Sequence, residues 1–316
     1  MTYKIRAGTA LDGCVTSEDR RVYMQDEDDY IVEFIYKDGQ WNSGTQIVQA
    51  APGAGIAAVW WDQLGRASSG ICLYYLNKDF VLCEKNLDLY KENKWYDGGL
   101  VNKGWKLYPT SQISAKIQQM SRTHKTDLRM FVVGQMEDVY RGGEWSLVKG
   151  WDFGKGHPGT CLTVCEHKYE NRYDALLSLF AAANYVIDRN SVFYQAPDLR
   201  IVEMTPASST GAWTTTTIIP KAPAGSAIAS YQVESLKPNL FYVRPEEHTI
   251  AWHMAMGHGN WNAGSLNKKI AEGSKFTSWR RDGVVYSYVQ TAENPSKVTE
   301  WTGTNWKETA VLPSNA

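Results

Sequence analysis

Several features that would point to a particular class of protein are missing from this sequence. Its 33 basic and 34 acidic residues nearly cancel and give a formal net charge of −1. No excess of charge therefore favours nucleic acid or an anionic membrane as a partner. No apolar run approaches the roughly 20 residues of a membrane-spanning helix. We expect neither a nucleic-acid partner nor a membrane partner.

Secretion signals are also missing. Residues 1–14 lack the apolar core of a signal peptide. The triplet Asn294-Pro295-Ser296 would be a glycosylation acceptor, but its proline blocks it. Five cysteines are an odd number in a large chain, which favours free thiols in a reducing compartment over a disulfide framework. These absences predict a cytoplasmic protein, although secretion of a trimmed form fits the same residues.

Signatures of familiar chemistry are absent too. The glycine-rich residues 154–161 lack the Gly-Lys-Ser/Thr ending of a phosphate-binding loop, and no Gly-x-Ser-x-Gly element offers a hydrolase nucleophile. Cys161, Cys165 and His167 share a face of an extended segment, but no second ligand pair lies nearby at a zinc-finger spacing. We expect no metal and no cofactor, and the sequence names no catalytic residue.

Aromatic residues, in contrast, are abundant, with 13 Trp and 18 Tyr among 316 residues. Six tryptophans recur at intervals of roughly 45 to 70 residues, each after an aromatic or β-branched run, a polar turn and a second such run. They are Trp41, Trp95, Trp145, Trp213, Trp261 and Trp306. A further short apolar run precedes the hairpins, so each unit has the length and strand number of a propeller blade.

This repeat predicts an all-β fold, a six-bladed β-propeller with four-stranded antiparallel blades. A propeller is one domain, so residues 1–316 are assigned to a single domain. The approximate blades are 8–49, 50–106, 107–156, 157–219, 220–270 and 271–316. Residues 3–6 are expected to supply the outer strand of the last blade and so to tie the two termini together.

Two units carry a charge pair on their hairpins. Arg21 and Glu33 are equidistant from a turn centred near Glu27, so we expect them to face each other on one side of the sheet. In the third unit, Arg129 and Glu137 belong to a hairpin that is four residues shorter, a symmetric change that preserves the facing. A structural ion pair explains such residues. A guanidinium beside a carboxylate and an aromatic wall also suits a sugar.

The repeat resembles the fungal fucose-specific lectins of the Aleuria type, which are six-bladed propellers. A blade of that family carries Arg-Val-Tyr-x-Gln, a Glu twelve residues after the Arg, and then a Trp. Residues 21–25 (RVYMQ), Glu33 and Trp41 match this pattern. The resemblance implies sugar sites between blades, with Arg and Glu from one blade and aromatic residues from the next. The implied sites are Arg21 and Glu33 with Tyr90 and Trp95, and Arg129 and Glu137 with Trp213.

Other units depart from this pattern. The arginine position is expected to hold Cys72 in the second unit, Ser191 in the fourth, Leu240 in the fifth and Tyr286 in the sixth. Trp252 takes the place of the glutamate in the fifth unit, and Glu300 is offset by two residues in the sixth. We therefore expect one or two competent sites, which is few for binding that depends on avidity.

Three functions stay open. The first is a non-catalytic lectin-like propeller that binds a fucose-like glycan or small molecule. The second is a cofactor-independent cyclase or pericyclase of the hetero-Diels–Alder type from fungal secondary metabolism, which would reuse the scaffold and fits the loss of most sugar sites. The third is an interaction propeller with protein partners, which no residue pattern selects. The oligomeric state is not indicated by the sequence.

Overall fold

A computed structural model shows a chain made almost entirely of antiparallel strands. It describes residues 3–62, 69–90, 94–119, 128–134, 157, 161–168, 188–206, 213–233, 237–257, 260–303 and 306–313. Within these ranges, no helix has the length and apolar character that crossing a bilayer requires.

The first two sheets are formed by the N-terminal third of the chain. The first sheet comprises β1 (Leu11–Val15), β2 (Arg20–Gln25), β3 (Tyr30–Lys37), β4 (Gln40–Trp41) and β5 (Thr45–Gln49). The second sheet comprises β6 (Ile56–Asp62), β7 (Ser69–Leu76), β8 (Leu82–Asp88) and β9 (Trp95–Asp97). A short 3-10 helix, Gly99–Asn102, follows β9.

The remaining strands form four more sheets. The third sheet has two described strands, β10 (Ile113–Gln119) and β11 (Leu128–Gly134). The fourth comprises β12 (Leu162–Lys168), β13 (Asp188–Gln195), β14 (Arg200–Pro206) and β15 (Trp213–Lys221). The fifth comprises β16 (Ile228–Val233), β17 (Lys237–Val243), β18 (Thr249–Gly257) and β19 (Asn260–Lys269). The sixth comprises β20 (Phe276–Arg281), β21 (Val284–Val289), β22 (Val298–Thr302) and β23 (Lys307–Leu312).

The innermost strands of the sheets form a closed ring. Around it, β1 contacts β6, then come β10, β12, β16 and β20, and β20 returns to β1. Asp12 on β1 joins three sheets, because it accepts hydrogen bonds from the Thr277 hydroxyl at 2.7 Å and from the Ala58 backbone N–H at 2.9 Å. All six inner strands border an axial cavity of about 370 Å³. The predicted all-β propeller of four-stranded antiparallel blades is thus confirmed. Among the described residues, four sheets have four strands, and the first sheet has a fifth strand, β5, that pairs with β3.

The second strand of the first sheet packs against both neighbouring sheets and is buried on both faces. All six residues of β2 are buried. Neighbouring side chains on a strand point to opposite faces, so Val22 and Met24 pack with Val298 of the sixth sheet, whereas Tyr23 packs with Ile71 of the second. We call the space between two neighbouring sheets a seam. The alternation decides which seam each β2 side chain enters.

A glutamine at the end of the second strand fastens three of the sheets to the connection that follows. Its side-chain N–H donates to a backbone carbonyl and its side-chain oxygen accepts a backbone N–H two or three residues later. The sets are Gln25 with Ala51 and Gly53, Gln195 with Ala222 and Gly225, and Gln290 with Arg6 and Thr9. In the sixth sheet, the N-terminal segment thus supplies the backbone partners of the glutamine. In the first and fourth sheets, those partners come from the residues that follow the sheet.

Residues 3–6 close the ring differently from the prediction, which is wrong about their strand. Ile5 makes an isolated antiparallel bridge to Asp26, at the end of β2 in the first sheet. The outer strand of the sixth sheet is β23, so that edge is already covered. The termini still meet, because the side chain of Ile5 is buried beside Val298 and Leu312.

Candidate functional site

The hairpin of β2 and β3 brings Arg21 and Glu33 together, although not directly opposite each other. Glu33 faces Tyr23, and the turn is centred one residue further along the chain than predicted. Asp29 adopts a positive φ of 67°, which lets the acidic loop close at that point. An offset of two positions keeps both side chains on the same face, so the predicted pair forms diagonally across the strands.

Arg21 is held between two carboxylates at this place. Its Nη1 donates to Glu33 Oε1 at 2.9 Å, while Nε and Nη2 donate to the two oxygens of Asp19 at 3.0 and 2.8 Å. The Tyr23 hydroxyl donates to Glu33 Oε1 at 3.0 Å. The side chains of Arg21 and Glu33 are only 5% and 6% exposed. Charge-assisted bonds of this kind fix the guanidinium in one orientation.

The protonation states of the cluster follow from burial and charge. Burial by itself lowers the pKa of Arg21, but the hydrogen bonds to Asp19 and the charge of Glu33 outweigh it, so the pKa is raised. Burial, reinforced by Glu33, raises the pKa of Tyr23 well above its usual range. Burial also raises the pKa of Cys14, which lies opposite Arg21 on β1. The site therefore holds a permanent cation, a neutral phenol and a neutral thiol.

Part of the hydrogen-bonding capacity of this cluster is not used by the protein. A guanidinium has five N–H donors, and Arg21 uses three of them in the bonds to Asp19 and Glu33. The other two donors, and Glu33 Oε2, have no protein partner within the described part of the chain. The cluster thus keeps two donors and one acceptor on side chains that hydrogen bonds hold in place. Neighbouring hydroxyl groups present the complementary pattern.

An aromatic wall comes from the second sheet. Trp95, the first residue of β9, meets the Tyr23 ring edge-on, with ring centroids 6.1 Å apart and planes at 87°. Tyr90 lies in the turn before β9 and is 59% exposed. The contacts of the described residues include none between Tyr90 and the charge pair. We call Arg21, Glu33, Tyr23 and Trp95, with Asp19, the first pocket.

The second predicted site falls largely outside the described residues. Glu137 is not among them, and Arg129 and Trp213 are described only as backbone, opposite Gln118 and Pro206 respectively. A pairing of Arg129 with Glu137 and Trp213 stays a prediction.

Strand register places Phe131, not Arg129, at the position equivalent to Arg21. The two sheets can be aligned just before their inner strands, where the hydroxyls of Thr9 and Ser111 each donate to the carbonyl of the next residue. The residue after that carbonyl is apolar, begins the inner strand and borders the axial cavity. In the first sheet that apolar residue pairs with the residue three positions after Arg21. The same count in the third sheet leads to Phe131, two residues beyond Arg129.

In the second sheet, backbone takes the place of the guanidinium. Glu84 is equivalent to Glu33, and the arginine position holds Cys72, as predicted. The Leu100 N–H donates to Glu84 Oε2 at 3.4 Å, and burial raises the pKa of this carboxyl. A Cβ on Gly98 would lie 2.2 Å from Glu84 Oε2, so the chain after β9 lies directly on the carboxylate.

The fourth and fifth sheets replace the charge pair in other ways. Ser191 occupies the arginine position in the fourth, as predicted, and donates to Glu203 Oε1 at 2.7 Å. In the fifth sheet the register puts Asn239 there, so the prediction of Leu240 is wrong by one residue. Trp252 does stand in the place of the glutamate.

The sixth sheet keeps its glutamate in register. Glu300 lies opposite Tyr288, as Glu33 lies opposite Tyr23, and Tyr286 is at the arginine position. The turn between the strands takes up the two extra residues, so the offset expected from sequence spacing does not exist in three dimensions.

Sequence reasoning missed two residues that build the first pocket, Asp19 and Tyr23. Both lie two positions from Arg21 along the chain, and β2 side chains two apart share a face. This two-residue period could have identified Tyr23 from the sequence. Asp19 precedes the strand, so its grip on Arg21 follows from the turn geometry rather than from the pattern.

Comparison with known proteins agrees with this architecture. A family model described as fungal fucose-specific lectin matches residues 5–314. A fucose-specific lectin of Aspergillus oryzae is 27% identical over 299 residues, which cover 89% of this chain and 86% of that protein.

Solved structures share the fold. The Aleuria aurantia lectin, described as a six-bladed β-propeller, matches with a TM-score of 0.76 and 21% identity over 99% of this chain and 98% of that one. A variant of it in complex with α-methyl-L-fucoside matches with a TM-score of 0.75 at the same identity and coverage. Since the family match spans nearly the whole sequence, the chain belongs to the fungal fucose-specific lectin family.

Proposed function

We propose that this protein is a non-catalytic lectin-like propeller that binds a fucose-type sugar in the first pocket. The observation that carries the proposal is the Arg21–Glu33 pair, buried yet with two N–H donors and one carboxylate oxygen unused by the protein. Asp19 and Tyr23 fix the pair, and Trp95 from the next sheet adds an aromatic wall. The α-methyl-L-fucoside complex of the Aleuria aurantia variant supports this ligand class.

The chemistry of a deoxy sugar suits such a pocket. Adjacent hydroxyls accept from a guanidinium and donate to a carboxylate, and a methyl group or an apolar ring face packs on indole. The site needs no metal or cofactor to do this. Tyr90 stands at the exposed rim, and we propose that its ring contributes a weaker contact there.

We also propose that the propeller has six blades. Six inner strands follow one another around the axis and close on themselves. The two described strands of the third sheet then belong to a blade like the others. The six-bladed description of the Aleuria aurantia lectin supports this count.

Few of the seams offer a comparable pocket. In the other five sheets the position of Arg21 holds Cys72, Phe131, Ser191, Asn239 or Tyr286, and Arg129 lies two residues before Phe131 on the same strand. We propose one or two competent sites, the first in the first seam and the second with Arg129, Glu137 and Trp213. One or two sites on one propeller give little avidity, so strong agglutination would require assembly of several chains. No observation among the described residues favours the cyclase alternative.

Isothermal titration with methyl α-L-fucoside tests the proposal. Arg21→Lys keeps the charge but removes the planar fork, and Glu33→Gln keeps the shape but removes the charge. We expect each variant to weaken binding at least about tenfold, because charge-assisted bonds are worth roughly 1.5–3 kcal/mol. Arg200→Lys, at an exposed pair with Asp198, is the matched control.

Unchanged affinity in both folded pocket variants would exclude the first pocket as the binding site. Absence of any binding by the parent protein across a fucosylated glycan array would overturn the proposed function itself.

A further inference from the structure

Two adjacent arginines on β2 enter different seams. Arg21 faces the second sheet, and alternation along the strand turns Arg20 toward the sixth. Arg20 Nη2 lies 3.3 Å from Glu300 Oε2, with side-chain exposures of 11% and 3%. The sixth sheet has no arginine at its own position, so its glutamate receives one from the neighbouring sheet.

The guanidinium of Arg20 is sandwiched between aromatic rings. It lies 3.9 Å from the ring centroid of Tyr36 on its own sheet and 4.2 Å from that of Tyr286 on the sixth sheet. The ring of Trp41 is 5.7 Å away. Cation–π contacts of this kind are strong when they are desolvated. The Arg20 side chain therefore fills the space between the two sheets.

This seam otherwise has the frame of the first pocket. The Tyr288 hydroxyl donates to Glu300, as that of Tyr23 donates to Glu33. Trp41 meets the Tyr288 ring edge-on, with centroids 6.0 Å apart and planes at 86°. The corresponding contact of Trp95 with Tyr23 has nearly the same distance and angle, 6.1 Å and 87°.

Three exchanges distinguish the seams, and the first is Val284 at the position of Asp19. Tyr286 stands where the first sheet has Arg21, and Arg20 stands where the second sheet has the apolar Ile71. Both oxygens of Glu300 are engaged, since Oε1 accepts from the Thr309 hydroxyl at 2.7 Å and Oε2 accepts from Tyr288 and faces Arg20.

We propose that the seam between the sixth and first sheets is a latent sugar pocket closed by Arg20. Its guanidinium takes the place that a ligand takes in the first pocket, and it joins the last sheet to the first at the point where the ring closes. We use the word clasp for the link that the Arg20 side chain makes between the sixth and first sheets. The latent pocket rests on the proposed function, whereas the clasp does not.

Thermal unfolding tests the clasp without any sugar. Arg20→Ile introduces the side chain that the second sheet has at this position, Ile71, and leaves Glu300 buried without its cation. Breaking a buried pair in this way should lower the melting temperature by about 5–10 °C. Arg20→Ile with Glu300→Gln should recover part of that loss, because no unpaired charge is left. Arg200→Ile, at the exposed arginine, is the control and should change little. A melting temperature for Arg20→Ile equal to that of the control overturns the clasp.

Titration with methyl α-L-fucoside tests the latent pocket. Arg20→Ile with Tyr286→Arg removes the closing side chain and installs the arginine of the first pocket in this seam, and the number of bound sugars should rise by about one over the parent. Arg20→Ile alone is the matched control and should show no such rise. An unchanged stoichiometry in the folded double variant overturns the latent pocket. If the parent binds no sugar, the latent pocket fails with the proposed function, and the melting experiment alone decides the clasp.

Discussion

At the scale of single residues, identity alone does not assign a role in this protein. Arg20 and Arg21 are neighbours in sequence and both pair with glutamate, but Arg21 is held by hydrogen bonds to two carboxylates, whereas Arg20 lies between two tyrosine rings. The sequence predicted the Arg21–Glu33 pair because even spacing keeps two residues on one face. It could not predict the pairing of Arg20 with Glu300, because that contact forms only when the ring closes.

Asp12 gives a residue-scale prediction about pH. Burial, which outweighs the hydrogen bonds from Ala58 and Thr277, raises the pKa of Asp12 from 3.8 to about 6. The folded state therefore holds this proton to higher pH than the unfolded state does, and stability falls as pH rises from about 4 to 6. Asp12→Asn cannot ionise. Its melting temperature relative to the parent should therefore rise between pH 4 and pH 7.

The matched control is Asp198→Asn. The hydrogen bond from Arg200 lowers the pKa of Asp198, so the contribution of this exposed carboxyl is lost as pH falls. A pH dependence of Asp12→Asn that parallels the parent throughout would show that Asp12 does not titrate as described.

At the scale of elements, the turns decide which strand residues meet. Sequence spacing suggested that Glu300 is out of place, but the longer turn restores its position opposite Tyr288. Sequence spacing also misplaced the arginine position of the fifth sheet by one residue, at Leu240 instead of Asn239. Alternation predicts the face of a residue reliably, whereas its opposite partner depends on loop residues such as Asp29, whose positive φ no strand pattern reveals.

The segment after β9 gives a prediction with a built-in control. Gly98 lies against Glu84, and an added Cβ would come within 2.2 Å of the carboxylate oxygen, whereas a Cβ on Gly99 would meet nothing within 4 Å. Gly98→Ala should destabilise the fold by about 1–3 kcal/mol in urea unfolding, as overpacking does. Gly99→Ala should leave the unfolding free energy nearly unchanged. Equal effects of the two substitutions would contradict the close packing on Glu84.

At the scale of the whole molecule, the tryptophan period predicted the propeller, because each blade repeats the same strand pattern. It could not predict how the ends join. Residues 3–6 pair with the first sheet, and the N-terminal segment supplies the backbone partners of Gln290. Closure thus depends on contacts between the two ends of the chain, which leave no periodic trace. The last seam carries a pairing between sheets, Arg20 with Glu300, that the repeat does not reveal.

The most direct test of the account is a crystal structure of the protein with methyl α-L-fucoside. We expect the sugar in the first seam, with hydroxyls within hydrogen-bond distance of Arg21 and Glu33 and its apolar side toward Trp95, while Arg20 stays between Tyr36 and Tyr286. Sugar density beside Glu300 with Arg20 displaced, or an empty first pocket under saturating sugar, would contradict it.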